Sequence, residues 1–207
     1  MLSALSQVGM IIHKRLINIL AIALSIIPQL AYAQTQSYPT DEEIQELMPD
    51  FQREVEYWNQ YEEPERQSEA RAFAENWSRR DPAIVLFLGS WSGWEETTDI
   101  YPSKTEGQVC IIHTSEPEAS FSLGQVFNQR IYTDRGEVIF QQGNYVGVAW
   151  SNDNEAGIEA GITAYRLIAP TEVLTSESLS YWDGGDRIIE QFNAAGCIAE
   201  ALAAMVR

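Results

Sequence analysis

The sequence predicts an α+β, mainly β fold: an antiparallel meander curled into a barrel, preceded by an acidic helical arm and followed by a C-terminal helix. Three observations predict it. After Gly89 the apolar periodicity changes from about 3.6 residues to about 2. Turn signals then recur at short intervals, and such short connections imply antiparallel neighbours. From Ile188 onward apolar residues return at intervals of four and three, the spacing of a helix.

The N-terminal segment reads as a cleavable export signal. His13-Lys14-Arg15 is its positive region, Leu16 to Ile27 its uncharged apolar core, and Ala31-Tyr32-Ala33 carries the small residues a signal peptidase accepts, so cleavage is expected before Gln34. An uncleaved anchor fits less well, because the apolar stretch falls short of the ~20 residues of a spanning helix and Pro28 interrupts it. The expected organisation is therefore residues 1–33 as signal peptide, 34–80 as the acidic amphipathic arm and 81–207 as the β domain with its C-terminal helix. The location implied is extracytoplasmic: periplasm, lumen or secreted, with no membrane association after cleavage.

Charge narrows the partners. The chain carries a formal net charge of −17, and removal of residues 1–33 deletes Lys14 and Arg15 but no acids, leaving 11 bases against 30 acids, a net charge near −19. Such a field repels phosphate backbones and anionic headgroups, which argues against nucleic acid and favours a basic protein partner. His113 is the sole histidine after residue 33. That excludes His-rich zinc sites and leaves a Ser-His-Asp arrangement a single candidate base. No metal or cofactor is expected.

The arm begins at Thr40-x-x-Glu43, a capping box, with Asp41, Glu42 and Glu43 at the positive end of the helix dipole. Ile44, Leu47, Met48, Phe51, Val55 and Trp58 follow at helical spacing. Pro49 is expected to split this stretch, and Pro64 to open a further helix with the stripe Ala70, Phe73, Ala74, Trp77.

In the β domain, Phe121, Leu123, Phe127 and Ile131 alternate with polar residues, Asp134-Arg135-Gly136 makes a tight turn, and Val138 and Phe140 resume the alternation as a hairpin. Further strands are expected at 91–99, 107–114, 144–150, 158–168 and 172–180. Asp183-Gly184-Gly185-Asp186 stops the last of them, Asp186 is placed to cap the C-terminal helix, and Gly196 either weakens that helix or ends it. Seven or so short strands in one sheet need an edge solution, and closure is the commonest.

Gly89-Ser90-Trp91, after a short apolar turn and on the first strand, resembles the opening of lipocalins and their calycin relatives. The antiparallel meander and the C-terminal helix are similar too, so the resemblance covers residues 83–200. It implies a calycin-like barrel around a small apolar ligand. It also implies a floor-closing cation–π pair of Trp91 with Arg166 from a late strand, a structural role.

Few residues invite catalysis. Gly89-Ser90-Trp91-Ser92-Gly93 has Trp91 where a nucleophile elbow needs serine. Glu95, Glu96 and Asp99 lie beside Trp91 and Trp94, as carboxylates do in a glycoside hydrolase or sugar-binding groove, but a chain this acidic also places such residues on solvated strand edges. His113 at a strand end suits either a satisfied histidine or a base. Tyr132, Tyr145, Trp150, Tyr165 and Trp182 serve equally as core filler or as the wall of a ligand cavity, for which Gln125 and Gln129, on the face of Phe121, Leu123 and Phe127, are candidate hydrogen-bonding residues.

The leading functional expectation is an exported, non-enzymatic protein that binds a small apolar ligand or a protein partner, with Trp91, Gln125, Gln129 and Arg166 at the site. The alternatives are an assembly factor or inhibitor docking basic partners through the acidic arm, and a hydrolase using Glu95, Glu96 or His113. The two cysteines, Cys110 and Cys197, are expected to form one disulfide joining the strand at 107–114 to the C-terminal helical region, since the compartment permits it and no third thiol competes.

Overall fold

The computed structural model describes residues 38–154, 157–171 and 179–199. Its centre is a closed barrel of eight antiparallel strands in sequence order: β1 (Gly89–Ser92), β2 (Glu96–Pro102), β3 (Gln108–Ser115), β4 (Glu118–Phe127), β5 (Arg130–Thr133), β6 (Val138–Gln142), β7 (Tyr145–Asn154) and β8 (Gly157–Ala169). β1 and β8 close it through the pairs Trp91 with Leu167 and Ser92 with Arg166. The meander and its closure agree with the expected fold class.

Two expected strands are each divided by a turn. Segment 91–99 breaks at Gly93–Glu95, where Glu95 takes φ 48°. The run 121–131 breaks at Asn128 and Gln129, with φ 50° and 61°. Positive φ at both central residues of a two-residue loop is the hairpin geometry that matches strand twist. Asparagine tolerates that conformation, so a turn forms without glycine or proline.

The helical segment is not a free arm. The helix α1 (Asp41–Trp58) opens with the capping box of Thr40 and Glu43 and runs unbroken through Pro49. The expected split does not occur, because Ile44 and Phe51 on either side of Pro49 are buried against the outer wall of β6–β8: Ile44 on Val138 and Ala149, Phe51 on Tyr145 and Ala164. A 3-10 turn (Asn59–Tyr61) leads to α2 (Pro64–Glu75), which opens with its proline as expected. Ala70, Ala74 and Trp77 pack with Ile84, Phe87, Leu88 and Trp91 into the main core, so this segment plugs one end of the barrel.

The C-terminal helix α3 (Gly185–Ala194) has Gly184 as its N-cap rather than Asp186, which lies in its first turn. The backbone there is wound tightly against Leu179, and a Cβ on Gly185 would stand 2.0 Å from the Leu179 carbonyl oxygen. α3 ends before Gly196, which takes φ 72°, as a helix-terminating glycine does. Ile188 and Phe192 cover Tyr101, Cys110 and Ile112 on the outer wall. Residues 172–178 of the expected strand 172–180 lie outside the described residues, and Leu179 and Ser180 are helix and turn.

Beyond α3 the chain pairs with the end of β2: Ile198 donates to the Pro102 carbonyl at 2.9 Å, and Lys104 to that of Gly196 at 3.0 Å. This brings Cys197 onto Cys110, with Cα atoms 5.9 Å apart in a disulfide. The bond is the expected one and is consistent with an extracytoplasmic location. Among the described residues no helix is long and apolar enough to cross a membrane.

Candidate functional site

Strand alternation sorts the barrel into an apolar floor and a polar mouth. Trp91 is fully buried at the floor, its indole N–H donating to the Phe87 carbonyl at 2.8 Å, with Ile100, Val109, Ile131 and Leu167 around it. Toward the mouth the inward positions become Glu96 and Thr98 on β2, Ile111 and His113 on β3, Ser122 on β4, Glu137 and Ile139 on and beside β6, Val148 and Trp150 on β7, and Thr163 and Tyr165 on β8. Arg135, from the β5–β6 turn, reaches over them. Together these residues enclose a cavity of about 250 Å³.

Glu96 organises one wall. Its Oε2 accepts the Tyr165 hydroxyl at 2.6 Å and stands 3.8 Å from His113 Nε2, while His113 Nδ1 is 3.0 Å from Thr98 Oγ1. Burial holds the imidazole below its ordinary pKa, and Arg135 pushes the same way, against the pull of Glu96 and Glu137. The Tyr165 hydroxyl is pushed upward, first by burial and then by its bond to Glu96. It therefore donates and does not ionise. Across the cavity Glu137 accepts the Thr133 hydroxyl at 3.2 Å, and Arg135 donates to Ser120 Oγ. Trp150 lies flat on Gly161, where a Cβ would stand 2.2 Å from the ring; the missing side chain lets this indole form the wall.

The expected site residues are distributed differently. Glu96 and His113 meet in the cavity. Glu95 is exposed on the β1–β2 turn. Gln125 and Gln129 are exposed outside the barrel, Gln125 donating to the Gly107 carbonyl at 3.0 Å. Arg166 also points outward, its guanidinium 5.7 Å above the Trp58 ring. Trp91 faces Leu167 across the β1–β8 ladder and Ser92 faces Arg166, so alternation puts Trp91 and Arg166 on opposite sides of the wall. The expected Trp91–Arg166 pair is replaced by Trp58 with Arg166. Trp150 and Tyr165, which the sequence offered as cavity-wall candidates, line the cavity, while Arg135 and Glu137, whose place on this face depends on cross-strand register, were missed.

Outside the mouth, Glu54 of α1 accepts the Ala164 N–H at 2.7 Å. β1 stops at Ser92 and does not pair with β8 at that level, so a side chain takes the place of a strand. Burial, ahead of all other causes, raises the Glu54 pKa, and the negative charge of Glu96 adds to the rise.

Searches for similar proteins found no matching family model, no matching curated protein and no matching solved structure.

Proposed function

We propose that this is an exported, calycin-like binding protein whose ligand is small, polar and positively charged, held in the barrel mouth. The observation that carries the reading is the lining: two carboxylates, Glu96 and Glu137, face one guanidinium, Arg135, around a histidine whose protonation is disfavoured. An anion would meet an excess of acid. The hydroxyls of Thr98, Ser122 and Thr163 supply hydrogen bonds, and the Trp150 and Tyr165 rings supply faces for a cation. The volume lies below the ~300–1,000 Å³ of pockets for drug-sized molecules, which favours a compact ligand. A polar lining replaces the apolar ligand expected by resemblance with a polar one. Export rests on the segment before Gln34 and on the Cys110–Cys197 bond.

Two measurements test this. Native mass spectrometry of the protein purified from its own compartment should report a retained small molecule. Calorimetric titration with ethylamine should show binding that falls at least about tenfold in the double variant Glu96→Gln, Glu137→Gln, since each lost charge-assisted contact is worth ~1.5–3 kcal/mol. Amine binding indifferent to both carboxylates sinks the reading.

A hydrolytic reading draws on the chain Tyr165–Glu96–His113, in which a carboxylate stands 3.8 Å from an imidazole that is neutral at ordinary pH. Glu96 would then serve as base or nucleophile. Turnover of any ester or glycoside, abolished by both Glu96→Gln and His113→Ala, would favour it over binding alone.

A further inference from the structure

A second cluster lies outside the cavity, where the end of α1 meets the β1–β2 turn. Trp94 stacks on Tyr57 with ring centroids 4.5 Å apart and planes at 28°, and it lies 5.1 Å from Trp58. Tyr61 closes on Tyr57 at 5.5 Å. These rings are not core filler, because Trp94 and Tyr61 each leave 49% of their surface in solvent. Each outward ring has an exposed acid as its chain neighbour: Glu56 before Tyr57, Glu62 after Tyr61, Glu95 after Trp94.

The molecule already shows what this cluster accepts. Arg166 lays its guanidinium 5.7 Å above the Trp58 ring, brings Nη2 to 3.7 Å from Glu63 Oε1, and donates through Nη1 to the Tyr61 carbonyl. Ring face, carboxylate and carbonyl together hold one arginine on the inner side through its guanidinium plane, Nη2 and Nη1. The outer side repeats two of those elements: the half-exposed rings of Trp94 and Tyr61, and the exposed carboxylates of Glu62 and Glu95, of which Glu62 also accepts the Tyr145 hydroxyl at 3.5 Å.

We infer that this surface docks an arginine-bearing basic segment of a partner protein, with Trp94 and Tyr61 taking guanidinium groups and Glu62 and Glu95 pairing with them. Arginine suits it better than lysine, because a planar guanidinium stacks on rings while offering several donors to carboxylates, whereas an ammonium is a strongly hydrated point charge. A net charge of −17 draws such a segment in at long range. The site is separate from the cavity and stands whether or not the mouth binds an amine.

The test uses the whole mature protein and a short synthetic peptide of arginines spaced by glycine and serine, followed by calorimetry and tryptophan fluorescence. Binding should weaken steeply with added salt. Trp94→Ala and Tyr61→Ala should each weaken it about fivefold or more, and a lysine peptide of equal charge should bind less tightly. Neutralising Glu62 and Glu95 to Gln should weaken it more than neutralising Glu42 and Glu46, exposed acids at the far end of α1, by the same charge. Tyr61 lies on an exposed 3-10 turn, so Tyr61→Ala keeps the test valid if Trp94→Ala does not fold. Equal losses from the two acid pairs, equal affinity for the lysine peptide, or no loss on removing either ring would overturn the site. A salt-independent ligand competing for the same rings, such as a neutral sugar, would overturn the basic partner.

Discussion

At His113 burial outweighs two carboxylates, and the consequence is a pH dependence with a definite sign. The folded-state pKa lies below the unfolded value near ~6.5, so the unfolded chain binds the proton first. Above about pH 6.5 the residue contributes nothing. Stability is lost as pH falls through that value and levels off below the folded pKa. Glu54 acts oppositely, because its raised folded-state pKa favours the fold as it protonates on acidification. Comparing melting temperature against pH for the wild type and His113→Gln separates the two: the wild type should lose more on acidification than the variant, and parallel curves would refute the assignment. Glu96 and His113 were recognisable in the sequence because carboxylate and imidazole are conspicuous in any pattern. Gln125 and Gln129 misled because the Asn128–Gln129 turn reverses the chain between them: Gln125 stays on the outer wall of β4, and Gln129 is part of the turn.

At the scale of elements, α1 sets local propensity against docking. A proline inside a helix removes a backbone hydrogen bond and costs ~3 kcal/mol, yet α1 continues through Pro49. Pro49 is exposed, so Pro49→Ala should stabilise the protein by about 1 to 3 kcal/mol in denaturant unfolding, with binding properties unchanged. Phe51, fully buried and 5.1 Å from the Phe140 ring, supplies part of the docking that compensates. Phe51→Ala should cost about 3 to 5 kcal/mol, and a loss below 1 kcal/mol would mean the helix is held by its polar ties alone. The capping box and the apolar stripe were legible because both are local. That the stripe meets the barrel was not, since an amphipathic face gives no address for its partner.

For the whole molecule, the meander was legible from periodicity and turns, while the polar mouth was not. Which residues look inward depends on where each hairpin reverses, and a slip of one residue exchanges the faces. The disulfide was legible from two cysteines and a compartment. It closes 87 positions of chain, which in the loop-entropy model stabilises the fold by about 4 to 5 kcal/mol. Reduction should lower the melting temperature by roughly 10 °C or more. Thiol titration of the unreduced protein should find no free sulfhydryl, and two equivalents would disprove the bond.

The amide of Ala164 is the one place described where the barrel wall relies on Glu54, a side chain of another element, to satisfy a β8 donor. That makes the proton a clock for the helix. Its neighbours on β8 exchange with solvent only when the sheet itself opens, whereas the Ala164 proton exchanges each time α1 lifts. Its protection factor therefore reads the docking free energy of α1 directly, separated from global unfolding. Glu54→Gln should release this proton ahead of the rest of β8, whereas acidification, which favours the docked state by protonating the buried Glu54, should raise its protection relative to the rest of β8. Exchange of Ala164 in step with Tyr165 and Leu167 under both conditions would show that α1 and the barrel open as one.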